Sequence, residues 1–132
     1  MPFRVAAVAL LLASPAGGVE RVVTPEAFLD LVAGQTVSFA LATDGSLVGV
    51  ERFVDRKRSV WTRADGTCAL GTISVHGAKI CFVYDDTPGR PSCWWPFEEE
   101  GELYVRSTRT AEVQWAKTFE KRLLECVGEP LS

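Results

Sequence analysis

Between residues 35 and 106 the chain alternates short apolar or every-other-residue apolar runs with clusters of Gly, Asp, Pro and Arg. The runs lie at 36–41, 47–54, 59–63, 67–75, 79–84, 92–97 and 102–106. Between them stand Thr43-Asp44-Gly45, the stretch 55–58, Ala64-Asp65-Gly66, His76-Gly77, the stretch 85–91 and the stretch 98–101. Runs of this length, rich in Val, Thr, Phe and Trp and bounded by turn formers, predict antiparallel strands joined by hairpins. Parallel strands need crossovers of a dozen or more residues, and these connections leave no room for them.

Ahead of the meander, Thr24-Pro25-Glu26 predicts the start of a short helix. Thr24 supplies an N-cap oxygen, Pro25 has the preset φ of the first helical position, and Glu26 complements the positive helix end. Ala27, Phe28, Leu31 and Val32 supply an apolar face, and Gly34 supplies the stop. After the meander, Ala111, Trp115, Phe119 and Leu123 recur every four residues among helix formers, which fits a helix. Val113, Trp115 and Lys117 equally fit a last strand, and periodicity leaves residues 111–125 open between the two. The expected fold is mainly β: a small antiparallel sandwich or partly closed barrel of seven or eight strands, a meander preceded by one short helix.

The first sixteen residues follow a different pattern: one positive charge at Arg4, an apolar run over 5–13, then Ser14-Pro15-Ala16. That order of zones predicts a secretory signal peptide over 1–16, cleaved after Ala16, with Gly18 as the alternative. Its apolar run is too short for a bilayer-spanning helix, which takes about 20 residues. No cysteine stands near the cleavage site to carry a lipid, so no stable membrane anchor is expected. Residues 17–132 then form a single disulfide-bonded β domain, long enough for one modest core. The net charge of the whole chain is −3, and loss of Arg4 makes it more negative by one. An acidic balance of this kind disfavours nucleic acid as a partner.

Four cysteines, Cys68, Cys81, Cys93 and Cys126, are an even number in an exported chain and predict two disulfides in an oxidising compartment, periplasmic or secreted. Three pairings are possible. Cys81 and Cys93 flank the 85–91 turn almost symmetrically, so a hairpin there pairs them and leaves Cys68 for Cys126. No C-x-x-C is present, which argues against a thioredoxin-like pair or a zinc knuckle.

Asp65-Gly66-Thr67-Cys68, Gly71-Thr72, His76-Gly77, Ile80-Cys81-Phe82-Val83-Tyr84 and Ser92-Cys93-Trp94 together resemble a family of small secreted or periplasmic bacterial proteins of unknown function. Their pattern runs G-D-x-I-C-F-x-Y, a turn, then C-W across consecutive strands. Thr72 stands where that pattern usually has an aromatic residue. The ending Cys126-Val127-Gly128-Glu129-Pro130 is similar to the family's tail. The resemblance implies a compact β domain in the periplasm, lipocalin-like or like a small inhibitor barrel, and implies no activity.

Candidate chemistry is sparse. His76, the one histidine, reads as a solvated turn residue. Arg52, Arg56, Lys57, Arg58 and Arg63 cluster, with Glu51 and Asp55 among them, and read as a charged hairpin end or an anion-binding surface. Glu98, Glu99, Glu100 and Glu102, with Asp85 and Asp86, lack calcium-loop spacing. Trp94 and Trp95 are adjacent in one strand, so one faces the core and the other the outside. With Pro96 next, that strand is expected at a sheet edge or at its end. No catalytic, cofactor-binding or metal-ligating set is visible. The functional expectation is an exported monomeric binding or interaction domain for a small apolar ligand or a protein, with Trp94, Trp95, Arg56, Lys57 and Arg58 as candidate surface. A periplasmic hydrolase with a carboxylate-lined cleft is the alternative. An inhibitor of an exported protease, presenting the 85–91 turn, is another.

Overall fold

The computed structural model describes residues 2–3, 18–122 and 126. The expected signal peptide therefore lies outside the described residues apart from Pro2 and Phe3, and so does the tail after Cys126. The elements are β1 (Arg21–Val22), α1 (Pro25–Val32), β2 (Thr36–Leu41), β3 (Leu47–Phe53), β4 (Arg58–Arg63), β5 (Cys68–His76), β6 (Lys79–Tyr84), β7 (Ser92–Glu99), β8 (Glu102–Ser107) and β9 (Val113–Glu120).

Strands β2 to β9 pair with their neighbours in sequence, all antiparallel, and β9 returns to pair with β2 from Thr36↔Glu120 to Leu41↔Gln114. Strands β2 to β9 thus form a closed eight-stranded up-and-down barrel, and β1 adds a two-residue ninth strand beside β7. The expected mainly β meander behind one short helix is present, and of sandwich and barrel it forms the barrel, closed all the way round. The reason is the C-terminal stretch: residues 113–120 form a strand rather than a helix, and that strand bridges β2 and β8.

Successive hairpin turns of such a meander alternate between the two barrel ends. One end carries the turns around 54–57, 77–78 and 100–101, and α1 plugs it. Thr24 caps the helix by accepting a hydrogen bond from Ala27 N, and Gly34 follows the helix with φ 78°. The buried face is Pro25, Phe28, Leu29 and Val32. Leu31, expected inside, is exposed instead. Backbone bonds from Gly34 N to Phe53 O and from Phe53 N to Gln35 O, with the Arg56–Asp30 ion pair at 2.6 Å, fix the plug to the β3–β4 end. Phe28 meets Phe53 edge-on at 5.9 Å between ring centroids, joining the helix to the barrel core.

Pro96 lies inside β7, a strand bonded to β6, β8 and β1, so the expected edge position does not hold. The ladder to β6 ends at Ile80↔Trp94, and β1 takes over at Val22↔Phe97. Pro96 sits at the changeover: its carbonyl accepts from Val23 N, and its missing N–H falls where no strand needs it.

Both disulfides form as the hairpin argument expects. Cys81 and Cys93 are direct register partners on β6 and β7 with Cα atoms 4.1 Å apart, and Cys68 joins Cys126 at 5.8 Å. The second bond ties the C-terminal segment to β5. Ahead of Cys126 in the chain, the Arg122 carbonyl accepts from Thr36 Oγ1 on β2 and from Arg52 on β3. No helix among the described residues is long and apolar enough to cross a membrane.

Candidate functional site

Alternate residues of each strand point into the barrel, and paired positions carry the same orientation across the sheet. The registers Glu51↔Trp61, Phe53↔Ser59, Ser59↔Gly71, Gly71↔Tyr84 and Ile80↔Trp94 therefore set these side chains in one interior. They do not fill it. A cavity of about 110 Å³ remains, with Phe28 of the helical plug at one side and walls from Phe39, Phe53, Phe82 and Val105. Trp61, Tyr84, Ser92 and Trp94 line it as well and are only partly buried, so the cavity meets solvent toward the end opposite α1.

Two glycines shape the walls. A Cβ on Gly49 would stand 2.5 Å from the Trp61 indole and 2.7 Å from the Thr62 carbonyl. One on Gly71 would stand 2.4 Å from Ser59 Oγ and 3.0 Å from the Tyr84 ring. Absence of side chains at these two interior positions lets Trp61 and Tyr84 lie across the neighbouring strands. The aromatic wall continues from there: Phe82 stacks with Tyr84 at 6.1 Å and meets Phe53 edge-on at 6.2 Å, while Phe39 lies 6.5 Å from Trp61.

Into this apolar space β3 projects one carboxyl group. Glu51 is 2 % exposed, and Tyr84 donates its phenolic hydrogen to Glu51 Oε1 at 2.8 Å. Glu51 Oε2 and the buried Ser59 Oγ each lack a formed hydrogen bond. Burial pushes the Glu51 carboxyl up to about 8, with Tyr84 and the nearby Ser59 hydroxyl pulling the other way. At neutral pH Glu51 is thus mostly protonated, because an isolated carboxylate in low dielectric is costly. Burial likewise pushes the Tyr84 phenol up, and the Glu51 charge adds to it. Two further polar groups line the cavity and are held in place: Ser92 Oγ accepts from Trp94 Nε1 at 3.0 Å, and Gln114 donates to Glu112 at 2.8 Å.

The candidate surface of the sequence reading is divided by this geometry. Trp94 lines the cavity, whereas Trp95 is 43 % exposed on the outer face. Arg56, Lys57 and Arg58 sit in the turn at the plugged end, away from Trp94. There Arg56 pairs with Asp30 and Arg58 with Asp55, and Lys57 N donates to Asp55 Oδ1. The Arg56 charge thus serves the plug and the Arg58 charge the turn. His76 is exposed and shares a 2.9 Å hydrogen bond with Ser74. The 98–102 carboxylates lie at the plugged end, while Asp86 at the other end pairs with Arg63 at 2.7 Å. Among the described residues no three His, Cys, Asp or Glu side chains converge as a metal site would require.

Glu51 was the residue that sequence reasoning passed over, counting it only as a charge interrupting a basic cluster. Its signal lay in parity: it shares a strand face with Gly49 and Phe53.

No family model matches the chain, and no curated protein or solved structure matches it significantly. The reading of the site therefore rests on its geometry.

Proposed function

We propose that this protein is an exported, periplasmic or secreted, β-barrel that holds a small and mainly apolar molecule in its interior. The observation that carries the reading is the cavity of about 110 Å³, aromatic on most sides and open at the end away from α1. An apolar cavity of about 150 Å³ accepts benzene, so a ring or short chain of similar size is the natural occupant, with any longer tail leaving through the open end. Known ligand sites likewise combine apolar walls with a few placed polar groups, a role that Glu51, Ser92 and Gln114 fill here. A ligand this small gains at most roughly 1.5 kcal/mol per non-hydrogen atom, which sets affinity in the micromolar to millimolar range.

Two disulfides support an oxidising destination. A hydrolase is less well served by the geometry, since Glu51 is the one carboxyl among the cavity-lining residues. Native mass spectrometry of the protein recovered from the exported fraction tests the reading. We expect a bound small molecule whose occupancy falls when Trp94→Ala opens the wall. Bare protein under all gentle conditions, with no uptake from a panel of small aromatic and aliphatic compounds, contradicts it.

A further inference from the structure

We infer that the barrel cavity takes the ammonium group of a small organic amine, with Glu51 as its counter-ion and the surrounding aromatic faces as its cage. The inference deepens the ligand-binding reading above and rests on it.

Three observations carry it. First, Glu51 Oε2 is buried without a hydrogen-bond partner, whereas Oε1 already accepts from Tyr84. Once Glu51 ionises, that buried oxygen calls for a donor, and an ammonium N–H supplies one with charge assistance. Second, Phe39, Phe53, Trp61, Phe82, Tyr84 and Trp94 surround the same space. Ring faces are negative at their centres and attract a cation most strongly where water is excluded. Third, the four turns at the open end, with Arg63 at its rim, bring Asp44, Asp65, Asp85, Asp86 and Glu112 against Arg63, Arg90 and Arg109. That local excess of carboxylates favours approach of a cation.

The step balances simply. The amine enters as R-NH3⁺, the protonated Glu51 gives its proton to solvent, and a carboxylate–ammonium pair remains in the cavity. Groups facing the carboxyl are Tyr84 on β6 and Ser59 on β4. Arg63 with its partner Asp86 stands behind Tyr84 and acts on its phenol.

Isothermal calorimetry with propylammonium and benzylammonium chlorides, against 1-propanol and benzyl alcohol, tests the inference. Each amine is expected to bind at least about tenfold more tightly than its alcohol at pH 8, as a buried charge pair exceeds a neutral hydrogen bond. Below that pH the amine affinity falls about tenfold per pH unit, because one proton must leave for each ligand bound. Titrations at pH 6.5 in two buffers of different ionisation enthalpy read that proton directly in the unaltered protein. Glu51→Gln is expected to lower amine affinity by at least about tenfold and to abolish the proton release. If the variant does not fold, the two-buffer measurement decides alone. Equal binding of amine and alcohol without proton release overturns the ammonium inference and leaves the ligand-binding reading standing. Binding of neither overturns both.

Discussion

Tyr84 donates its phenolic hydrogen to Glu51 across the barrel interior, 2.8 Å from a carboxyl group that is 2 % exposed. The two residues stand 33 positions apart in the chain. Three hairpin-linked pairings, β3 to β4, β4 to β5 and β5 to β6, bring them together, and Gly71 clears the path for the phenol ring. A polar contact set inside an apolar barrel is costly to form and sensitive to change. Its consequences are measurable.

Stability should depend on pH through Glu51. Its folded carboxyl titrates near 8, above the ordinary value of 4.5, so between those limits the folded state keeps a proton that the unfolded state has lost. The stabilising contribution is full below about pH 4.5 and is lost as pH rises through 8, roughly 5 kcal/mol in all. Exposed Asp55, Asp65 and Asp44 act in the opposite sense: hydrogen bonds from their own turns hold them below the usual range, so they lose stability only in stronger acid. Urea midpoints measured from pH 5 to 9 should therefore decline in the unaltered protein and stay level in Glu51→Gln. Parallel curves for the two proteins would show that Glu51 ionises as it does in water.

Alanine at Gly71 should destabilise the barrel by about 1–3 kcal/mol, because the added Cβ must displace both Ser59 and Tyr84. At Gly49 the added Cβ meets the Thr62 backbone carbonyl as well as Trp61, and backbone yields less readily than a side chain, so that variant should lose at least as much. Chemical denaturation compares them. Gly89→Ala, where φ is not positive and nothing stands within 4 Å, controls for the loss of a glycine without wall crowding.

The two disulfides should differ in worth. Cys68–Cys126 spans 58 residues and Cys81–Cys93 spans 12. On the chain-entropy account the longer loop contributes about 4 kcal/mol and the shorter about 3 kcal/mol. Paired Cys→Ser variants, unfolded in urea, should rank in that order. The reverse order would mean that the β6–β7 pairing depends on its bond more than its register suggests.

Much of the barrel was legible because its strands are short and their boundaries carry Gly, Asp and Pro. The seven meander runs appear as β2 to β8, each within a residue or two at its ends. The last strand was not legible, for an arithmetic reason. Trp115 and Phe119 are four apart, which is one helical turn but also two strand repeats, so the same pattern fits both. Only the need of β2 for a partner resolves it. Pro96 misled in a comparable way, since the rule that proline marks an edge assumes one continuous neighbour, and β7 changes neighbours at that residue.

The site was harder to read than the fold. In Val48-Gly49-Val50-Glu51-Arg52-Phe53 the valines mark one face as apolar, yet Glu51 shares the other with Phe53, and that face lines the interior. The outer face of β3 is engaged in part by the C-terminal segment, where Arg52 bonds the Arg122 carbonyl 70 residues away. Alternation within one strand records burial on both sides and does not say which side is the cavity. Trp94 and Trp95 show the limit too: adjacency placed one inside and one outside, but only the register Ile80↔Trp94 says which.

The four tryptophans offer the most direct test of the central claim, that the barrel interior is a ligand site. Trp61 and Trp94 line the cavity, while Trp95 is exposed on the outer face and Trp115 hydrogen-bonds Glu102 outside the cavity lining. Indole N–H resonances of the nitrogen-15-labelled protein, followed while benzylammonium and, separately, benzyl alcohol are added, report each tryptophan separately. The account predicts saturable shifts at Trp61 and Trp94 with Trp95 and Trp115 unmoved. Shifts confined to Trp95 or Trp115, or none at all up to high millimolar ligand, would contradict it.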